Sequence, residues 1–215
     1  LHAAGGADGF QPIFDGKSLD GWEGNPDLWR VEDGAITGET TADKPIKSNT
    51  FLIWRRGEVD DFELTFEYRF ASEKGNSGVQ YRSWQEPDSA GQFVMGGYQA
   101  FFEAGKSFSG ILYGERYRGN VDGRGTETVI GDNHKPTVVR KFGESADLQN
   151  HVKPGQWNKY RVVAKGFKGG KDFPPLPVNG FKDGNVQIIA PVLEHLFDRI
   201  KIGSDKTKIQ HGEPS

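Results

Sequence analysis

Two stretches carry side chains suited to binding and proton transfer: Asn76-Ser77-Gly78-Val79-Gln80-Tyr81-Arg82-Ser83 and Gly97-Tyr98-Gln99-Ala100-Phe101-Phe102-Glu103. Each alternates polar and apolar residues, and in a strand residues i, i+2 and i+4 share a face. Gly78, Gln80 and Arg82 then point one way and Val79 and Tyr81 the other. In the second stretch Gln99, Phe101 and Glu103 oppose Tyr98, Ala100 and Phe102. One face fits a core. The other gathers amide, guanidinium and carboxylate groups beside glycines, a surface suited to a hydroxyl-rich ligand. The same pattern is that of a solvated sheet face whose charges serve only the sheet.

A third strand, Asp61 to Ala71, places Phe62, Leu64, Phe66, Tyr68 and Phe70 on one face and Glu63, Thr65, Glu67 and Arg69 on the other. Five apolar residues at period two exclude a helix face. Were this strand to pair beside residues 76–82, Glu67, Arg69, Gln80, Arg82, Gln99 and Glu103 would converge on one surface, although opposite charges across strands also stabilise a sheet without a ligand. Tyr113, Glu115 and Arg116 stand where a short strand meets a long polar loop, a common place for functional groups.

The elements that must position these groups are strands. The 215 residues include 30 glycines, 11 prolines, 15 Phe, 6 Tyr and 5 Trp, and only 34% are hydrophobic, with a mean hydropathy of −0.66. Aromatic side chains offset the low apolar fraction because each buries a large area. Turns recur every few residues, and Asp33-Gly34 between Trp29 and Gly38 is a strong hairpin signal. Short strands and frequent turns predict an all-β fold, an antiparallel β-sandwich of the jelly-roll kind, in one domain over residues 10–205. Residues 1–9 read as a disordered segment and 206–215 as a polar tail. Residues 117–155 read as irregular except at Thr137–Val139, 186–197 as a strand or short helix, and 197–202 as a closing strand.

Several chemistries are unsupported. A net charge of −3 from 27 basic and 30 acidic residues gives no electrostatic case for nucleic acid or an anionic membrane. No apolar run reaches 18 residues. Without cysteine there are no disulfides or thiolate metal sites. The five histidines are scattered, and no phosphate-binding glycine loop or nucleophile elbow is present. Glu58-Val59-Asp60-Asp61-Phe62-Glu63 formally matches the Glu-x-Asp-x-x-Glu of retaining glucanases, whose carboxylates stand about 5 Å apart. The preceding Arg55-Arg56-Gly57 reads as a turn, which takes Glu58 off the strand. The Asp15, Asp20 and Asp33 turns offer oxygen ligands suited to calcium, although no cofactor is required.

Six motifs occur in order: Phe14-Asp15-Gly16-Lys17-Ser18-Leu19-Asp20-Gly21-Trp22, Trp29-x-Val31-x-Asp33-Gly34, Asp61-Phe62-Glu63-Leu64, Asn76 to Arg82, Gly97-Tyr98-Gln99 and Trp157-Asn158. Together, over roughly residues 10–165, they resemble the 3-keto-disaccharide hydrolase domain family. The resemblance implies a concanavalin A-like jelly roll, cleavage of 3-keto-glycosides, and a secreted or periplasmic bacterial protein. It implies elimination: a C3 carbonyl acidifies the C2 proton, a base removes it, the C1 substituent leaves and water adds back. On that chemistry Glu103 or Glu67 is the expected base. Gln80 and Arg82 hold the sugar or enolate, with Gln99, Arg69 and Asn76 beside them, and Tyr113 or Glu115 assists the leaving group. A non-catalytic carbohydrate-binding module on the same fold is the alternative. Two positions depart from the family pattern: Phe101 stands where a polar residue is usual, and no Gln-x-His strand is legible before the last strand.

Overall fold

The computed structural model describes residues 10–43, 45–59, 61–87, 91–131, 135–165, 186–189 and 201–203. Strands are numbered in chain order. One antiparallel sheet has four: β1 (Phe10–Pro12), β15 (Lys201–Gly203), β6 (Phe62–Tyr68) and β13 (Asn158–Ala164), in that spatial order. The other has seven, in the order β10 (Gly119–Asp122), β9 (Leu112–Glu115), β8 (Met95–Glu103), β7 (Asn76–Gln85), β14 (Val186–Ile189), β5 (Phe51–Trp54) and β2 (Trp22–Glu23). The two sheets pack as a jelly-roll sandwich, and the core between them follows from the alternation. Phe62, Leu64, Phe66 and Tyr68 of β6 are buried, with half-exposed residues between them. They meet Val79 of β7 and Ala100 and Phe102 of β8. The Phe102 ring stacks on Tyr68 at 4.3 Å and lies 5.7 Å from Phe66. Tyr160 of β13 stacks on Phe66 at 5.3 Å, and its hydroxyl donates to the Phe101 carbonyl at 3.2 Å, which ties one sheet to the other.

The pairing of β6 differs from expectation. β6 and β7 lie in opposite layers and not side by side, because the apolar face of β6 needs the apolar faces of β7 and β8 against it. Glu67 and Arg69 are thereby carried to the far side of the sandwich.

Two small ribbons flank the sheets. β3 (Trp29–Glu32) and β4 (Ala35–Gly38) form the expected hairpin, with Asp33 and Gly34 at φ 50° and 78°, the geometry of a tight primed turn. β11 (Thr126–Ile130) and β12 (Pro136–Lys141) form a second hairpin in a stretch expected to be irregular except at Thr137–Val139, which lies inside β12, and a short helix, α1 (Ser145–Gln149), follows. Residues 186–189 are a strand and not a helix. β15 supplies the closing strand at 201–203, while residues 190–200, like 1–9 and the polar tail at 206–215, lie outside the described residues.

Arg124 anchors this second ribbon. Its guanidinium donates to the carbonyls of Ser145, Ser109 and Lys106 and to the Gln149 side chain, at 2.6–3.3 Å. Hydrogen bonds from a charged donor are worth more than neutral ones. Arg124→Ala is expected to cost about 2 kcal/mol and to speed amide exchange in β11, β12 and the 104–109 turn while leaving β6–β8 protected. Uniform exchange changes would remove this anchoring role.

Candidate functional site

Strand register defines one row across the outward, non-core face of the seven-stranded sheet. Ile53 of β5 is opposite Gln187 of β14, which is opposite Gln80 of β7; Gln80 is opposite Gln99 of β8, which is opposite Tyr113 of β9; and Tyr113 is opposite Asn120 of β10. Residues directly opposite share a face. Glu115 stands two residues past Tyr113 and opposite Gly97, so it belongs to the same face.

The floor of this face is buried amide. Gln80 is 0% exposed and Gln99 is 2% exposed. Among the described residues, both amide atoms of Gln80 and the Oε1 of Gln99 have no hydrogen-bond partner. Orphaned buried polar groups are rare and point to a missing ligand or water. Gly78 makes the arrangement possible: a Cβ there would stand 2.5 Å from Gln99 Cγ and 2.8 Å from the Ala100 carbonyl.

The carboxylate of the site is Glu115. It is half-buried, and the Asn49 side chain donates to its Oε2 at 3.2 Å. Burial raises its pKa above the ordinary carboxylate value, opposed by the Asn49 hydrogen bond and the neighbouring Arg116 charge. The loop carrying Asn49 is fixed beside the β7–β8 connection, since Thr50 Oγ1 donates to the Gln92 carbonyl at 3.3 Å and the Phe51 N–H donates to the Phe93 carbonyl at 3.0 Å. Phe51, Ile53, Phe93 and Met95 form a separate apolar cluster beside this connection.

Among the remaining candidates, Tyr113 joins Gln80, Gln99 and Glu115, its ring 6.2 Å from Phe101 on the same face. Arg82 sits at φ 49° in the bulge between Tyr81 and Trp84, where the pairing of β7 with β8 is interrupted. Its charge opposes the burial that pushes Tyr81 up to about 12. Glu103 lies at the far end of β8, opposite Asn76, which is exposed at the start of β7. The Glu103 carboxylate accepts the N–H groups of Ser107 and Phe108 at 2.6 and 2.7 Å and so closes the turn after β8. Glu67 is opposite Lys159 on the other sheet, and Arg69 lies over the Trp157 ring at 4.9 Å. Thus Gln80, Gln99, Tyr113 and Glu115 are brought together; Glu103 and Asn76 stand about 13 Å along the strand, and Glu67 and Arg69 lie behind it.

Other acidic residues serve local structure. Glu63 is bound to Arg161 at 2.6 Å, and Glu58 is exposed in the loop before β6; Asp60 lies outside the described residues. Asp15 accepts two N–H groups of its own turn, which lower its pKa, and Asp20 pairs with Arg56. Among the described residues no three His, Asp or Glu side chains are grouped to hold a metal ion, and no helix is long and apolar enough to cross a membrane.

Asn49 was absent from the sequence candidates. It stands 66 residues before Glu115 in a polar loop, with no periodicity to mark it. Asn49→Ala removes a hydrogen bond that favours the ionised carboxylate, so the Glu115 pKa is expected to rise further. A carbon-detected NMR titration should show it; an unchanged titration would mean that the contact is absent in solution.

This row, with Gln80 and Gln99 buried and the half-buried Glu115 carboxylate beside them, lies on one sheet of a jelly-roll sandwich domain. Residues 9–190 match the 3-keto-alpha-glucoside-1,2-lyase-like domain. The chain is also 37% identical over 190 residues to a 3-keto-disaccharide hydrolase of Bacteroides thetaiotaomicron, an alignment covering 84% of this chain and 58% of that relative's length. The chain belongs to the 3-keto-alpha-glucoside-1,2-lyase-like domain family.

Among the described residues the strand before β15 is β14. It lies between β7 and β5 with Gln187 in register with Gln80. Two residues further on stands Ile189, so β14 carries no Gln-x-His.

Proposed function

We propose that the domain cleaves the glycosidic bond of 3-keto-disaccharides and that Glu115 moves the protons. The observation that carries this reading is the half-buried Glu115 carboxylate, held by Asn49 on the face floored by Gln80 and Gln99. A raised carboxyl pKa is what a group that must both take and return a proton needs. Family membership and the relative's name favour catalysis over a non-catalytic sugar-binding module.

The steps balance with one carboxylate. Glu115 takes the proton from C2, beside the C3 carbonyl. The C1–O bond breaks, and the electron pair from C2–H becomes the C1–C2 double bond. Glu115 returns the proton to the departing oxygen. Water then adds across that double bond, hydroxyl at C1 and hydrogen at C2, to give the free 3-keto sugar. Charge that develops on the C3 oxygen needs donors, and the side-chain amides of Gln80 and Gln99 supply that chemistry. Tyr113 borders the leaving-group side, and Arg82 contributes positive charge from the bulge. An exported location belongs to the same reading and is checked by cell fractionation.

Incubation with 3-keto-trehalose and 3-keto-sucrose, beside the unoxidised sugars, tests the reading. Monosaccharide is expected from the oxidised sugars alone. No release, or equal release from both forms, would overturn it.

A further inference from the structure

Two residues along the strands from Gln80 and Gln99, the same face turns apolar. Phe51 of β5 is opposite Ile189 of β14, Ile189 is opposite Gly78 of β7, and Gly78 is opposite Phe101 of β8. Residues two apart on a strand share a face and stand about 7 Å from each other. Gly97, which faces Glu115, is followed on β8 by Gln99 and then Phe101. Glu115, the Gln80–Gln99 pair and Phe101 therefore succeed one another along one direction of the sheet.

The Phe101 ring is held in place. The Tyr113 ring meets it edge-on at 6.2 Å and the Phe108 ring at 6.3 Å. Phe108 is itself fixed, because the Glu103 carboxylate accepts its N–H at 2.7 Å. Phe101 is half-buried, so part of the ring stays open. Across the strand pair Gly78 has no side chain, and the Gln99 side chain folds into the room that this leaves: a Cβ on Gly78 would stand 2.5 Å from Gln99 Cγ and 2.8 Å from its Cδ. The Gln99 amide and the Phe101 ring thus lie side by side.

This succession orients a pyranose ring. With C2 at Glu115 and the C3 oxygen at the amides, the ring atom across from C2 is C5, and its substituent C6 points along the sheet toward Phe101. A methyl or hydroxymethyl group there gains contact with the aromatic ring and gives up little hydration. A carboxylate at C6 would lose its hydration against hydrocarbon. It would also approach Glu103, two residues past Phe101 on the same face. Arg82 and Arg116 stand at the other end of the face, beside Glu115.

We infer that Phe101 is a specificity-determining residue. Its ring is the wall against which the C5–C6 end of the sugar packs, so the domain takes 3-keto-hexopyranosides with a methyl or hydroxymethyl group on C5 and turns away the corresponding uronides. The inference rests on the reading of Glu115 given above, which sets where C2 lies.

The test compares the 3-keto forms of methyl glucoside, methyl 6-deoxyglucoside and methyl glucuronide, which share one leaving group. In the wild type the 6-deoxy sugar is expected to match or exceed the glucoside in kcat/KM, and the uronide to fall at least thirtyfold below it. Phe101→Leu, which keeps the wall apolar, should preserve that order. Phe101→Asn should raise KM for the two neutral sugars at least tenfold with kcat little altered, and narrow the gap to the uronide at least tenfold. A smaller gap in the wild type, or unchanged ratios in Phe101→Asn, would overturn the inference; the wild-type gap decides even where that variant does not fold. A binding measurement separates this inference from the catalytic reading. The three 3-keto-glycosides are titrated into Glu115→Gln, and the amide signals of Gly78 and Phe101 are followed by NMR. Shifts with the two neutral sugars and none with the uronide support the wall even if the wild type turns nothing over, a result that would count against the Glu115 reading alone. Equal shifts with all three, or none with any, would overturn the wall.

Discussion

Glu115→Gln is expected to lower kcat on a 3-keto-disaccharide by about 10²- to 10⁴-fold, the usual range for removing a positioned acid–base group. Glutamine keeps the size of the side chain and still fills the space beside Asn49 but cannot accept the C2 proton. The effect on stability has the opposite sign. The folded-state pKa of Glu115 is raised, with burial the largest cause. A raised carboxyl pKa contributes stability below the unfolded value, and that contribution is lost as pH rises through the folded value. At neutral pH the ionised group is therefore a cost, and the variant should melt at the same temperature or higher. Activity that falls while melting holds or rises is the pattern of a functional group kept at the expense of stability. Turnover and thermal melting at pH 7 check both halves. Undiminished turnover would remove Glu115 from the mechanism. In the active wild-type enzyme, kcat/KM should fall as pH drops through the Glu115 pKa, and in Asn49→Ala that fall should begin at higher pH.

Phe102→Ala should be the most destabilising single truncation considered, costing about 3–5 kcal/mol. Phe102 is 0% exposed and touches rings on two strands of the opposite layer, β6 and β13: Tyr68 at 4.3 Å, Phe66 at 5.7 Å and Tyr160 at 5.7 Å. Removing it leaves a cavity at the centre of the sandwich, and three aromatic side chains anchored on two strands cannot collapse to fill it. Denaturant unfolding should show a lower midpoint with an unchanged slope. A loss under 1 kcal/mol would mean that the layers can slide together, and the packing would need revision.

The alternation of Phe62 to Tyr68 is legible because β6 has one wet and one dry face, so the period appears directly in residue type. Its neighbours are not legible, since periodicity gives the dry face but not which strands cover it. Hence Glu67 and Arg69 were grouped with residues that lie across the core. β12 is legible only at Thr137–Val139 for a related reason: every residue from Pro136 to Lys141 is exposed, so neither face is dry. β14 has four described residues, too few for a period. Within the candidate site, Gln80 and Gln99 are readable as polar residues on strands with one apolar face, and Tyr113 and Glu115 from their place where a short strand meets a long polar loop. Glu103 has the same signature, yet its carboxylate closes a turn with the N–H groups of Ser107 and Phe108, a use that depends on backbone conformation. Asn49 reaches Glu115 only through the path of a loop, which residue type does not encode.

The position of β14 and β15 bears on how the chain is made. β14 fills the gap between β7 and β5, and β15 the gap between β1 and β6. A nascent polypeptide therefore leaves both layers split until residues 186–203 emerge from the ribosome, and unpaired edges stand open meanwhile. Such late, long-range closure slows folding and lengthens the exposure of aggregation-prone edges. A product ending at residue 165 would lack the central staves of both layers and should be recovered as aggregate.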